Sequence, residues 1–259
     1  MTSSQPHQAL PDLSSHGLKL ARWFLALLLL TSYPLATVLP ATFGWENGPI
    51  ENMQILVLLA GFVHALWQWR DLRNASGTGT TAHRTAADTT VLRLCLIAIP
   101  LWLMCAARET SWGATLITPG IATPEGPYFS SSTVWYHAAI KPLVLLTVAC
   151  AAGAFLRWRL DRPLLALMRQ RRFPWAEIAL IGAAALLSTT AEGNLPIQLP
   201  GSPVMLLVLE EAAELVSYLS LFLAQLSLFN ALRRPSDSDG EPLAPGSPST
   251  RHAPDGAGH

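Results

Sequence analysis

The chain has 259 residues, of which 51% are hydrophobic and only 13% charged, with 17 acids against 17 bases. A positive mean hydropathy with so few charges places it in the membrane class, with the lipid bilayer as its first partner. No basic stripe or zinc-finger spacing occurs, which excludes nucleic acid as a partner; the three cysteines, Cys95, Cys105 and Cys150, lie inside apolar runs without a CxxC and read as packing residues rather than a redox pair.

Residues 1–21 are polar and are expected to form a disordered tail. Six apolar stretches then approach the roughly 20 residues that a spanning helix needs: about 22–41, 50–69, 91–109, 137–156, 176–192 and 204–231. The first follows Lys19 and Arg22. These cations and the leucine-rich run 25–30 also have features of a signal peptide, but a long polar segment precedes them and no A-x-A site follows. The second opens on Glu46, Asn47, Glu51 and Gln54, and the third closes on Arg108 and Glu109. Between the third and fourth lies a long Pro- and Gly-containing loop, 110–136, expected to act as a lid. The fourth opens with His137 and Lys141, spaced i, i+4. The fifth is short and rich in small residues, which suits close packing inside a bundle. The sixth carries Glu210, Glu211 and Glu214, and a second disordered tail is expected over 232–259. Pro34, Pro100 and Pro142 fall within spans and are expected to kink them. The fold class predicted is an all-α, six-span transmembrane helix bundle.

Charge fixes the expected orientation. Fifteen of the 17 cations fall before the first span, in the loops between spans two and three and between four and five, or after the sixth; only Arg108 and Lys141 fall on the other side. The positive-inside rule therefore puts both termini in the cytoplasm. Trp23, Trp67, Trp69, Trp158 and Trp175 mark the inner interface and Trp45, Trp112 and Trp135 the outer one. Arg outnumbers Lys 15 to 2, as in GC-rich bacterial genomes, and the expected location is a bacterial inner membrane.

The outer half holds two cations against eight acids: Glu46, Glu51, Glu109, Glu125, Glu192, Glu210, Glu211 and Glu214. A carboxylate near the centre of a spanning helix costs about 2.5–3.5 kcal/mol, so the three in span six must be protonated, paired or bound to a cation, facing protein or water. Glu210 and Glu214 share a helix face with Ser217 and Tyr218 beyond them; Glu211 is turned about 100° away, toward another neighbour. Five helix ends thus bring polar groups to one outer level. The expected reactive set is Glu210, Glu214, Glu109, His137 and Lys141, and the expected ligands of a divalent cation are Glu51, Glu192, Glu210 and Glu214. Three functions compete: an enzyme at the periplasmic face acting on a lipid or lipid-linked substrate, a proton- or cation-coupled transporter, and a structural or accessory subunit. In the last, Glu210 and Glu214 form an ion-pair lock with Lys141 or Arg108.

As a set, Glu46-Asn47-Gly48-Pro49-Ile50-Glu51-Asn52, Arg108-Glu109-Thr110-Ser111-Trp112-Gly113, Ala191-Glu192-Gly193-Asn194-Leu195 and Glu210-Glu211-Ala212-Ala213-Glu214 resemble a group of uncharacterised bacterial multi-span inner-membrane proteins. Those carry E-[DN]-G-x-x-E, E-x-S-W-G and late E-E-x-x-E motifs. The resemblance implies a shared architecture and site location, and no activity. The Glu46–Asn52 segment is also similar to the acid- and Asn-rich motif of alkaline-ceramidase-like membrane hydrolases, but the zinc-binding histidines of those enzymes are missing, since no HxxxH occurs.

Overall fold

The computed structural model describes residues 15–74, 85–117, 120–123 and 126–234. The chain runs through α1 (Ser15–Val38), α2 (Pro49–Asn74), α3 (Ala86–Glu109), a single turn α4 (Ala114–Ile117), the strands β1 (Ile121–Thr123) and β2 (Gly126–Tyr128), then α5 (His137–Arg157), α6 (Asp161–Arg169), α7 (Trp175–Ala191) and α8 (Pro203–Arg233). It is an all-α fold apart from that short antiparallel hairpin. Five helices, α1, α2, α3, α5 and α8, are long and apolar enough to cross a membrane; α7 is apolar but has 17 residues. These six coincide with the six apolar stretches. The predicted tails are corrected at their inner edges, because 15–21 belong to α1 and 232–233 to α8. The rest of both tails lies outside the described residues.

Helix α8 is the hub. Its 31 residues pack against α1, α2 and α7, with a lighter contact to α3. It contributes to four of the five core clusters, through Val208 and Leu209, Tyr218, Leu223 and Phe229. Helix α2 faces this core with Glu51, Gln54, Leu58, Gly61, Ala65, Gln68 and Leu72, all buried and spaced alternately three and four residues apart. That 3.5-residue period is the seam of one helix wound on another. Gly61 is needed there because a Cβ would overlap the Trp102 indole of α3, and its absence lets α2 and α3 approach closely. Helix α3 starts at an N-cap, Thr85, whose Oγ1 accepts from the Asp88 N–H and donates to the Asp88 carboxylate (2.7 Å).

Two elements depart from the hub. Helix α5 packs mainly on α3 and buries only Ile140, so its sides are left to lipid or to loops. Helix α6 stands where the sequence predicts only a basic loop. It buries Leu167, with Leu160 just before it, and exposes Arg162 and Arg169, the division of an amphipathic helix lying in an interface.

At the end of the bundle richest in cations, Arg22 of α1 donates through Nε (3.0 Å) and Nη2 (2.8 Å) to Glu177 Oε1 of α7. Ser227 Oγ of α8 donates to the same oxygen (2.6 Å). Glu177 is fully buried, so this bond set ties three helices through one carboxylate.

Candidate functional site

The opposite end of the hub carries the acids. Before α2 the chain turns through Asn47, which adopts the left-handed conformation (φ 62°) that Asn tolerates better than most residues. This turn aims the Asn47 N–H at the Glu51 carboxylate one helical turn on, and the Asn52 amide donates to the Gly48 carbonyl (2.8 Å). Glu51 therefore folds back over the start of its own helix and is buried. One turn deeper, Gln54 is wholly buried and crosses to α8, where its Nε2 donates to the Glu211 carbonyl and to Glu211 Oε2, both at 2.9 Å. Its Oε1 is buried with no hydrogen-bond partner among the described residues.

The last turn of α3 supplies Arg108 and Glu109. Arg108 Nη2 donates to Glu214 Oε1 (3.0 Å) and Nη1 donates to the Tyr218 hydroxyl (3.0 Å), both on α8. Tyr218 OH in turn donates to Glu109 Oε1 (2.6 Å), so one phenol accepts from a cation and donates to a carboxylate. Ser188 of α7 adds a long bond from its Oγ to Glu214 Oε1 (3.5 Å). Four helices thus contribute to one polar cluster. It sets Glu51, Glu109, Glu211 and Glu214 against the single guanidinium of Arg108. Carboxylates in excess of their counter-charge in a low-dielectric site must hold a proton or a cation. The Arg108 side chain is 62% exposed and that of Glu214 17%, so the cluster opens at the surface of the bundle.

The loop after α3 closes on this end. Ser111 and Trp112 both take left-handed conformations (φ 45° and 59°), reversing the chain at the predicted E-x-S-W-G turn, and Tyr136 OH donates to the Trp112 carbonyl (2.6 Å). The hairpin rests on the start of α2. Gly126 (φ 128°) lies against the Trp45 indole where a Cβ would collide, and the Phe129 N–H donates to the Glu46 carboxylate. Burial pushes the Glu46 carboxyl above its ordinary range, with the Phe129 N–H pulling the other way. Glu125 and Pro124, part of the predicted lid, lie outside the described residues.

Of the predicted reactive set, Glu109 and Glu214 come together through Arg108 and Tyr218, and Glu210 lies half-buried beside them on α8. His137 and Lys141 do not join. Both are exposed on α5, where His137 Nδ1 lies 3.0 Å from the Ser131 carbonyl and Lys141 makes no ion pair among the described residues. The reason is that α5 packs on α3 rather than closely on α8. Nor are Glu51, Glu192, Glu210 and Glu214 drawn into one ligand set. Glu51 is turned onto Asn47, Glu214 onto Arg108, and Glu192 is exposed at the end of α7. Among the described residues no three His, Cys, Asp or Glu side chains are grouped to hold a metal ion.

A second polar chain was not predicted. It begins at Trp102 of α3, whose Nε1 donates to Gln225 Oε1 of α8 (2.7 Å). Gln225 Nε2 lies 2.9 Å from His64 Nδ1 and donates to the Gly61 carbonyl (3.2 Å). The other ring nitrogen of His64 is 3.4 Å from Gln68 Nε2, and Arg233 at the end of α8 donates to Gln68 Oε1. Phe222 and Phe229 enclose the imidazole, with ring centroids 6.0 and 5.8 Å away. The sequence signal was present: Gln54, Gly61 and Gln68 recur every seven residues, and His64 stands one turn before Gln68 in an apolar span.

The site must speak from its own chemistry: no protein-family model matches the chain, and no match was found among curated proteins or among solved structures.

Proposed function

We propose that this chain is a six-span protein of a bacterial inner membrane, both termini cytoplasmic, that carries out proton- or cation-coupled transport. A helix of 17 residues meets the lower limit for crossing, which supports α7 as the sixth span. The one-sided distribution of cations supports the orientation.

One observation carries the transport reading: the two polar chains lie on the same α2–α3–α8 seam. From Glu211 to Arg233 they cover about 33 Å of α8 at 1.5 Å per residue, close to the full thickness of the hydrocarbon core. The acid cluster takes protons or a cation from outside, and His64 is the titratable group of the inner chain. Between Tyr218 and Gln225, about 10 Å along the helix, the seam is filled by Leu58, Phe62, Ala106 and Phe222. In the transport reading this apolar layer between the two polar chains is the gate, closed in this conformation.

The test is proton entry into vesicles that contain the purified protein and a trapped pH-sensitive dye, driven by a potassium diffusion potential. Acidification above that of protein-free vesicles, lost in Glu214→Gln and in His64→Leu, is the expected result. Flux equal to protein-free vesicles across the pH range, with and without divalent cations, removes the transport reading.

A second reading is an enzyme of the outer face acting on a lipid or lipid-linked substrate with a divalent cation. It is favoured by an apolar cavity of about 310 Å³ between α3, α6, α7 and α8, lined by Leu101, Trp102, Cys105 and Leu221 among others. Cys105 stands one turn below Arg108, so an acyl chain in this cavity would bring its head group to the Arg108–Glu214 pair. Elemental mass spectrometry decides it: stoichiometric metal lost in Glu210→Gln and Glu214→Gln supports the enzyme, and a metal-free protein removes its cation.

A further inference from the structure

A cavity of about 530 Å³ at the cation-rich end is formed by three segments distant in sequence. The start of α1 gives Lys19 and Arg22, the turn before α7 gives Arg171 and Arg172, and the end of α8 gives Ser227 and Arg234. Five cations therefore line one space. Among the described residues, the carboxylate of Glu177 is the acceptor set against Arg22, buried behind Arg22 and Ser227. The backbone helps to build this arrangement. Arg171 takes a left-handed conformation (φ 56°), which a branched or long side chain adopts only at a cost of about 1 kcal/mol, and its N–H bonds to the Met168 carbonyl as the chain turns back toward α7. Glu177 holds the Arg22 guanidinium through two of its nitrogens and so fixes one donor in advance.

Charge of this density recognises an anion with several acceptor oxygens, and the surroundings select its carrier. Leu18 and Phe173 line the same cavity. Trp23 and Trp175 stand beside it in sequence, 75% and 53% exposed, as aromatic side chains do at the boundary between head groups and acyl chains. Phe173 packs against Trp175 with centroids 4.8 Å apart. A freely diffusing anion needs no such apolar rim. We infer that this cavity binds the phosphate-bearing head group of an anionic membrane lipid, with the acyl chains passing out over Trp23 and Trp175. Basic pockets between spanning helices on the cytoplasmic side take lipid phosphates in this manner.

The experiment compares lipids retained by the full-length protein after extraction from nanodiscs of phosphatidylglycerol or phosphatidylcholine, read by native mass spectrometry. The parent should retain phosphatidylglycerol preferentially. Arg171→Ala combined with Arg234→Ala, both exposed and outside the Glu177 bond set, should weaken retention roughly 30-fold, at about 1 kcal/mol per cation removed. Arg162→Ala with Arg169→Ala removes the same charge from α6 beside the cavity and should leave retention within about twofold. Circular dichroism of the three proteins establishes that each is folded. Equal loss in both double variants would overturn the site in favour of general surface attraction, as would equal retention of the two lipids. Release of the bound lipid by millimolar inorganic phosphate would overturn the lipid as the source of the anion.

Discussion

The two ends of the α8 hub are charged in opposite senses. At one end, Arg108 pairs with Glu214 and Glu109 in a cluster rich in carboxyls; at the other, Glu177 pairs with Arg22 beside a cavity that five cations line. In each case the minority charge is the one that ties helices together. Arg108 links α3 to Glu214 and Tyr218 of α8, and Glu177 links α7 to Arg22 of α1 and Ser227 of α8. In the functions proposed above, the remaining charges at each end meet a ligand of opposite sign, protons or cations at the acid cluster and phosphate at the basic cavity. Burial separates the ends further: Glu177 has no exposed surface, whereas the Arg108 side chain is mostly exposed.

The sharpest way to break this comparison is to remove each anchor's partner. Arg22→Ala leaves Glu177 buried with Ser227 as its remaining hydrogen-bond partner, and should lower stability by about 3 kcal/mol, read as a shift in the midpoint of detergent-denaturant unfolding. Next comes Tyr218→Phe, which strips one bond from Arg108 and one from Glu109 at the outer end. It should cost about 1–2 kcal/mol and also reduce proton flux, because the phenol is the group that joins the two. Glu214→Gln should separate the two quantities: flux falls at least tenfold, while stability changes by less than about 1 kcal/mol because the amide oxygen still accepts from Arg108. Loss of fold in that variant would make Glu214 an anchor, and the contrast between anchors and surplus would fail.

The smallest effect is expected at Glu46. Burial raises its carboxyl, so the folded chain holds this proton more tightly than the unfolded chain does. That contribution is fully present below the ordinary carboxyl range and is lost as pH rises through the raised value. Glu46→Gln removes the dependence and still accepts from the Phe129 N–H. The variant should therefore gain on the parent as pH rises from acid to neutral, read as an unfolding midpoint that rises relative to the parent's; a parallel pair of pH curves would contradict it.

The helices were legible because span length and flanking charge are both written in one dimension. Even the Arg108–Glu214 pair stood among the expected alternatives. Which way each helix faces was less legible, and α8 shows why. Its sequence pairs Glu210 with Glu214, but the seam to α2 and α3 runs through Glu211, Glu214, Tyr218 and Gln225. Lipid and packed helices are both apolar, so a spanning helix has little hydrophobic asymmetry from which to read its azimuth. Helix α5 failed for the same reason. His137 and Lys141 sit at the right depth but on a helix that touches the wrong neighbour. His64 went unnoticed because one imidazole in a long apolar run has no pattern of its own; the pattern belonged to Gln54, Gly61 and Gln68 around it.

Helix α7 has a mechanical consequence. At 1.5 Å per residue its 17 residues measure about 25 Å, some 5 Å less than an average hydrocarbon core. A crossing helix that falls short makes the surrounding lipid dimple, at a fraction of a kcal/mol for each ångström. Ser188, in the last turn of α7, touches Glu214, so in the proposed six-span arrangement the dimple would lie over the acid cluster and shorten the route that bulk water must travel to reach it. A membrane of thicker lipids would stretch that route again, and bilayer thickness itself would then act as a control on the acid cluster.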